Sequence, residues 1–413
     1  MKLTPMRKGI VGVQFLFVAF GATVLVPLLI GLDPSAALLS AGLGTLIFHL
    51  VTKGKVPIFL GSSFAFIGPI IAAAAQWGMP GTLAGLASVA LVYFVMSGLV
   101  KWQGKKILDR FFPPVVIGPV IILIGLTLSP SAVNMAKENW LLAGVSLITA
   151  ICVLSFGKGL LRVVPVLCGI IVGYIVACCM GVVDYAPIKE AAWFRLPTSI
   201  ADFHWPQYMW APFLYMIPVA IAPVIEHIGN IYVASAVAKK DFVKEPGLHR
   251  TLFGDGLACL AASFIGGPPV TTYSEVIGAM SITKVTHPQV LRIAAITAIL
   301  FSVIGKISAV LLSIPSAVLG GIMLLIFGTI ASVGVQNLMN NHVDFNINRN
   351  IIIVSVTLTL GIGGAIWEFG NFSLTGIGLS AIVGVVLNLL LPRDKDEKKV
   401  EQKPQQEAAA PKE

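Results

Sequence analysis

The chain has 413 residues, of which 56% are hydrophobic and 11% charged, and its 28 Lys and Arg against 19 Asp and Glu leave a net charge of +9. Ordinary soluble domains carry about 25% charged residues, so this composition cannot clothe a water-exposed surface and excludes a soluble enzyme, a nucleic-acid binder and a disordered chain. What remains is a protein of the lipid bilayer, in keeping with a mean hydropathy of +0.90.

Apolar blocks separated by polar or Gly/Pro breaks fall first at residues 9–30, 35–51, 58–76, 81–100, 111–129, 140–157 and 163–182, each near the roughly 20 residues a crossing needs. The first block has a basic flank but no small-residue cleavage site and runs on to Ile30, which reads as a retained span. Residues 183–209 hold Lys189, Glu190, Arg195, Asp202 and His204 and read as an extracytoplasmic connection. Seven further blocks follow at 210–236, 251–266, 270–283, 289–312, 314–333, 350–367 and 373–391, and the tail 392–413 is charged and reads as disordered. The expectation is an all-α polytopic membrane protein of 14 segments. Cys152, Cys168, Cys178, Cys179 and Cys259 all lie in apolar stretches without metal-ligand spacing, so neither a disulfide framework nor a metal or other cofactor is expected.

With a cytoplasmic N-terminus, the even-numbered connections hold most of the basic residues, among them Lys53, Lys55, Lys101, Arg110, Lys240 and Lys244. The opposite side receives only Lys137, Lys189 and Arg195, with Lys306 inside a segment. The positive-inside rule therefore places both termini in the cytoplasm and makes the basic excess a topology signal. Echoes between the halves point to a repeat: PPVVIG at Pro113–Gly118 matches PSAVLG at Pro315–Gly320, each with a Gly-Lys pair upstream (Gly104 and Lys105; Gly305 and Lys306). LGSSFAFIG ending at Gly68 likewise matches TTYSEVIG ending at Gly278. The preserved order suggests two inverted seven-span repeats, 1–182 and 210–391.

An ionisable side chain at membrane depth costs about 2.5–3.5 kcal/mol on insertion scales, so it needs a partner, a cavity or a function. Glu226 and His227 in segment eight and Glu275 in segment ten qualify. Asp255, near Arg250, is expected at a cytoplasmic helix end, Glu368 at the outer interface, and Lys306 in a snorkelling or structural pairing role. Segment ten opens as GGPPVTTY, and segment three has Pro57 followed by Gly61, Ser62, Ser63 and Phe64. Both openings favour extended backbone, tolerated in a bilayer only where protein or a cavity surrounds it. The pattern predicts short antiparallel strands in segments three and ten, followed by half-helices whose N-terminal amides face a common point. Such a point suits a small neutral polar ring: amides near Phe64 and Ser274 donating to ring carbonyls, Glu226 and Glu275 accepting from ring N–H groups, and Phe64 or Tyr273 covering a face, with Ser63 alongside. A uracil-like molecule presents that alternation. His227 lies about 100° around the helix from Glu226, where a packing role and a relay role fit equally.

At these residues the chain resembles the nucleobase/ascorbate transporter family, also called nucleobase:cation symporter-2, and within it the bacterial uracil permeases. The resemblance runs from about Gln14 to Leu391 and is carried by FGATVLVP (Phe20–Pro27), KVPIFLGSSFAFIGP (Lys55–Pro69), IEHIGN (Ile225–Asn230), KKDFVKEPGLHR (Lys239–Arg250) and TTYSEVIGAMSITKV (Thr271–Val285). It implies a core domain at about 9–100 and 210–312 and a gate domain at about 111–182 and 314–391. It also implies that Glu226 and Glu275 hold a pyrimidine, that Phe64 and Ser274 offer backbone groups, and that a homodimer forms. Four positions depart from the family pattern: Ser274 stands for a glycine, Val276 for an asparagine, Asn230 for a histidine and Phe15 for another. The expected function is proton-coupled uracil import across a bacterial cytoplasmic membrane, with Glu226, Glu275 and His227 as candidate proton-coupling groups; a carrier of xanthine or another purine base is the alternative. No ring of like residues suggests a channel, and the Glu226-His227 pair lacks the second histidine of a zinc site.

Overall fold

The computed structural model describes residues 4–104, 110–159, 161–197, 209–369 and 372–392. The tail 393–413, Lys105 with Lys106, and Asp202 and His204 of the connection lie outside these residues. Proline and short capping side chains set the helix starts. Helix α1 (Pro5–Ile30) opens at Thr4, whose hydroxyl accepts from the Arg7 amide, and closes at Gly31 in the left-handed region at φ 73°. Asp33 caps α2 (Pro34–Val51) by accepting from the Ser35 amide at 2.8 Å.

Strand β1 (Leu60–Ser62) precedes a short 3₁₀ turn, Phe64–Phe66, and α3 (Ile67–Gln103). Gly78, at φ 70° and ψ 171°, kinks α3 into two rods just before Pro80, within the break expected between residues 76 and 81. The chain continues through α4 (Pro114–Lys137), α5 (Trp140–Phe156), α6 (Pro165–Cys179), the short α7 (Ala186–Glu190), and α8 (Trp210–Val219), which meets α9 (Ile221–Ala238) at Ala220. There follow α10 (Leu248–Ile265), strand β2 (Val270–Thr272), α11 (Ser274–Thr283), α12 (Pro288–Ser302), α13 (Gly305–Leu312), α14 (Ser316–Asn340) and α15 (Asn348–Ile362). A hairpin of β3 (Ile366–Phe369) and β4 (Phe372–Thr375) then leads into α16 (Gly376–Leu390).

Among the described residues six helical stretches are long and apolar enough to cross a membrane, and five shorter apolar helices accompany them. Two blocks expected as single segments are divided: 210–236 at Ala220, after Pro218, and 289–312 at Val303 and Ile304. The β3–β4 hairpin, paired Ile366 to Thr375 and Trp367 to Leu374, was not expected. It takes up residues 366–369, which the apolar pattern had assigned to the end of segment thirteen and the interface around Glu368.

Helices pack in two groups. α10 lies against α2 and α3, and α12 against α1 and α2; separately, α14 runs along α4, α5 and α6, with α15 on α4 and α16. Close approach depends on small residues, as is usual between helices in lipid. A Cβ at Gly334 would lie 2.7 Å from the Gly118 carbonyl, and one at Gly42 would lie 2.6 Å from the Ala295 carbonyl.

Candidate functional site

Strands β1 and β2 pair antiparallel, Leu60 to Thr272, Gly61 to Thr271 and Ser62 to Val270, and the ladder extends through Ser63 N–H to the Pro269 carbonyl at 2.9 Å and Tyr273 N–H to the Phe59 carbonyl at 3.1 Å. Only six residues form the two strands, so their remaining groups are held from outside. The Leu60 amide donates to Thr45 Oγ1 at 2.9 Å, Ser62 Oγ donates to the Thr23 carbonyl at 3.0 Å, and Cys259 Sγ donates to the Val270 carbonyl at 3.0 Å. His49 Nε2 donates to the Ile58 carbonyl at 2.8 Å, while its Nδ1 accepts from Arg292 Nε at 3.3 Å, which fixes the neutral tautomer with the proton on Nε2. Extended backbone deep in the protein thus has its amides and carbonyls satisfied by α1, α2 and α10.

The strands end where the candidate groups sit. Phe64 follows β1, half-buried, with its ring edge-on to Phe327 of α14 at 6.4 Å, so this point lies where the two helix groups meet. Ser274 and Glu275 occupy the first two positions of α11 and are exposed, as is Gly278 one turn on. The Ser274 hydroxyl and the Glu275 amide lie close to the Glu275 carboxyl, in the first turn, whose amides have no intrahelical partners. Glu226 of α9 is partly exposed, and its carboxyl is within electrostatic reach of those of Glu275 and Asp255.

The remaining candidates turn elsewhere. The Tyr273 ring is buried over Gly61, where any Cβ would collide with it, and its hydroxyl donates to the Ser62 carbonyl at 2.9 Å. Tyr273 therefore braces the strand pair, and of the two candidate aromatics Phe64 is the one left partly exposed. Ser63 is buried, its amide used in the ladder and its hydroxyl without a partner among the described residues. His227 is fully buried on the far side of α9 from the exposed Gly229, between the rings of Phe48 and Tyr93, with Nδ1 2.7 Å from Asp255 Oδ2. Asp255 is accordingly not at a helix end: it lies well inside α10, fully buried, because the His227 imidazole gives its carboxyl a partner that a lone acid in that position would lack.

Asn230, one turn after Glu226, donates through Nδ2 to the Thr272 carbonyl at 2.8 Å and to Thr272 Oγ1 at 2.9 Å, tying α9 to β2. Sequence reasoning missed the supporting set of Thr23, Thr45, His49 and Cys259. Thr45 and His49 are four residues apart on α2, so their shared face was the available signal. Lys306, expected to snorkel or pair, donates to the carbonyls of Ile188 and Lys189. The arrangement presents hydrogen-bond donors at the α11 N-terminus and acceptors on two carboxyls within electrostatic reach of each other.

Residues 7–369 match a family described as Permease family, Xan_ur_permease. A probable uracil permease of Haemophilus influenzae is 49% identical over 403 residues, covering 95% of this chain and 96% of the relative. The uracil permease of Bacillus subtilis is 45% identical over 412 residues, covering 95% and 94%. Among solved structures, the murine Slc26a9 anion transporter in its inward-facing state superposes with a TM-score of 0.68 at 11% identity, over 94% of this chain and 68% of that one, a likeness of fold alone. Matched over nearly its whole length by these permeases, the chain belongs to the nucleobase/ascorbate transporter family and is an integral membrane transporter, not an enzyme.

Proposed function

We propose that this protein imports uracil across a bacterial cytoplasmic membrane, coupled to protons, by alternating access. The observation that carries the reading is that the Glu226 carboxyl lies within electrostatic reach of Glu275 in the first turn of α11, at the end of the paired strands, while Phe64 after β1 packs on Phe327 at the junction of the two helix groups. Uracil carries two ring N–H donors and two carbonyl acceptors on one flat ring. Glu226 and Glu275 accept from the ring N–H groups, the amides at Phe64 and Ser274 donate to the carbonyls, and Phe64 covers a face. Ser63 and Tyr273 support this geometry from the strand pair. A carboxyl that faces each side in turn carries the proton, and Glu226 has the central position; His227 acts behind it through Asp255.

In this reading the chain makes 14 crossings as two inverted repeats, residues 1–182 and 210–391, with both termini cytoplasmic. The core domain is about 9–100 and 210–312, and the gate about 111–182 and 314–391, which follows the two packing groups. The names of the uracil-permease relatives support the substrate. One proton moving inward gains about 2.3 kcal/mol per 100 mV, enough for roughly 50-fold accumulation of a neutral solute.

Uptake of radiolabelled uracil at two pH values, in cells lacking their own carrier, tests the proposal. Accumulation should rise at the lower external pH and collapse with a protonophore; unchanged accumulation in de-energised vesicles would reject coupling. Competition with unlabelled xanthine separates the purine alternative.

A further inference from the structure

The connection between α6 and α8 carries charges and aromatics that the transport chemistry does not use, and its described part, residues 184–197, is laid along one helix group by a series of specific bonds. The Lys306 ammonium, at the start of α13, donates to the carbonyls of Ile188 at 2.5 Å and Lys189 at 3.1 Å, and sits 6.0 Å from the centre of the Trp193 ring. Phe194 and Ile304 form an antiparallel bridge, flanked by Gly305 N–H to the Trp193 carbonyl and Arg195 N–H to the Val303 carbonyl, both at 3.0 Å. A Cβ at Gly305 would lie 2.5 Å from the Ala192 carbonyl, so the connection lies directly on the break between α12 and α13.

The Arg195 guanidinium then reaches the α1–α2 turn, 2.5 Å from Asp33 Oδ2, while Asp33 Oδ1 accepts from Ser308 Oγ at 2.6 Å and caps α2. The Asp33 side chain is only 11% exposed, so its charge depends on these partners. All these anchor points, Asp33 and residues 303–308, belong to the group containing α1–α3 and α9–α13. The chain enters the connection from α6, which packs with α5 and α14 in the other group. Between the end of α6 and Tyr185 lies a short stretch whose Gly181 adopts φ 69°.

We propose that residues 184–197 are a strap that rides with the core domain throughout the transport cycle, locked by Arg195–Asp33 and Lys306. Motion between gate and core is then taken up at Met180–Asp184, around Gly181. Release of the strap at each turnover would leave the Lys306 ammonium and the nearly buried Asp33 without these partners. The proposal rests on the two-domain, alternating-access reading given above.

The test uses the Phe194→Cys, Ile304→Cys double variant, with Cys178 and Cys179 changed to serine, because directly paired antiparallel positions bring their Cβ atoms within disulfide range. Cross-linking should go to completion equally with and without added uracil, and the oxidised transporter should keep uptake within twofold of the reduced one. Cross-linking that is partial or depends on uracil, or uptake lost on oxidation and restored by reductant, would overturn the strap. Cross-linking is read without transport, so a chain that does not carry uracil at all fails the substrate reading alone. Should the cysteine pair prevent folding, Arg195→Ala and Arg195→Lys serve instead, since both leave the Asp33 cap of α2 in place: the alanine should lower uptake at least fivefold and the lysine keep it within twofold. An alanine variant with unchanged uptake would refute the lock.

Discussion

The His227–Asp255 pair offers a direct measure of how far the polar interior behind the site is structural. His227→Leu leaves the Asp255 carboxyl fully buried without its present Oδ2 partner, beside an Oδ1 that has no partner among the described residues. Removing one member of a buried ionisable pair costs about 3–5 kcal/mol. At about 2.1 cal/mol/K per residue, unfolding 413 residues carries an entropy of about 0.9 kcal/mol/K, so the melting temperature should fall by about 3–6 °C. Replacing both residues by leucine removes the stranded carboxyl with its partner, and most of the loss should return, since apolar replacement of a buried pair is commonly neutral. Tryptophan fluorescence during heating of the detergent-purified chain reads all four members of the cycle. A double variant as unstable as the sum of the two singles would refute the coupling. Uracil uptake by the stable double variant separates the two roles: retained uptake assigns packing, and lost uptake assigns the relay.

Glu275→Gln removes a charge-assisted acceptor, worth about 1.5–3 kcal/mol, so the Kd for uracil should rise about 10- to 150-fold in a scintillation binding assay; unchanged affinity would remove Glu275 from the site. Asn230→Ala leaves the buried Thr272 carbonyl without its 2.8 Å donor, a loss of about 1–3 kcal/mol. Amide exchange in β2 should quicken, and equal exchange in both proteins would show that α9 does not hold the strand. Gly61→Ala drives a methyl into the buried Tyr273 ring, so binding should weaken even where the protein reaches the membrane in normal amounts; normal affinity would mean that the strand pair does not shape the site. On the loop surface, Lys55 holds the exposed Glu245 carboxyl below its ordinary value. Its small stabilisation is present above the ordinary carboxylate range, is lost as pH falls through the lowered value, and is screened by salt. Glu245→Gln at pH 7 should shift the melting temperature by less than about 1 °C, and a larger shift would assign the pair a tertiary role.

Local pattern made several parts of this protein legible. The shortage of charge required a membrane protein, and the Gly/Pro and β-branched openings at Gly61–Phe64 and Gly266–Tyr273 marked extended backbone, which is found at Leu60–Ser62 and Val270–Thr272. The cost of ionisable groups in an apolar segment singled out Glu226 and Glu275. Such features can be read along the chain because helix period, turn chemistry and desolvation cost are properties of neighbouring residues. The hairpin at Ile366–Thr375 escaped because its apolar residues read as well for a helix end as for a short strand.

Tertiary structure decided the rest. Asp255 is 28 residues from His227, and the packing of α10 on α9 turned an expected helix-end acid into one member of a sealed pair. Asn230 found Thr272 42 residues away, and the Tyr273 ring, free in the sequence to face a ligand, was claimed by the space above Gly61. The residues alone fixed which groups are costly to bury; only the path of the chain in three dimensions fixed which partner relieves each one, because a hydrogen bond is made by atoms within about 3 Å and sequence separation says nothing about that distance.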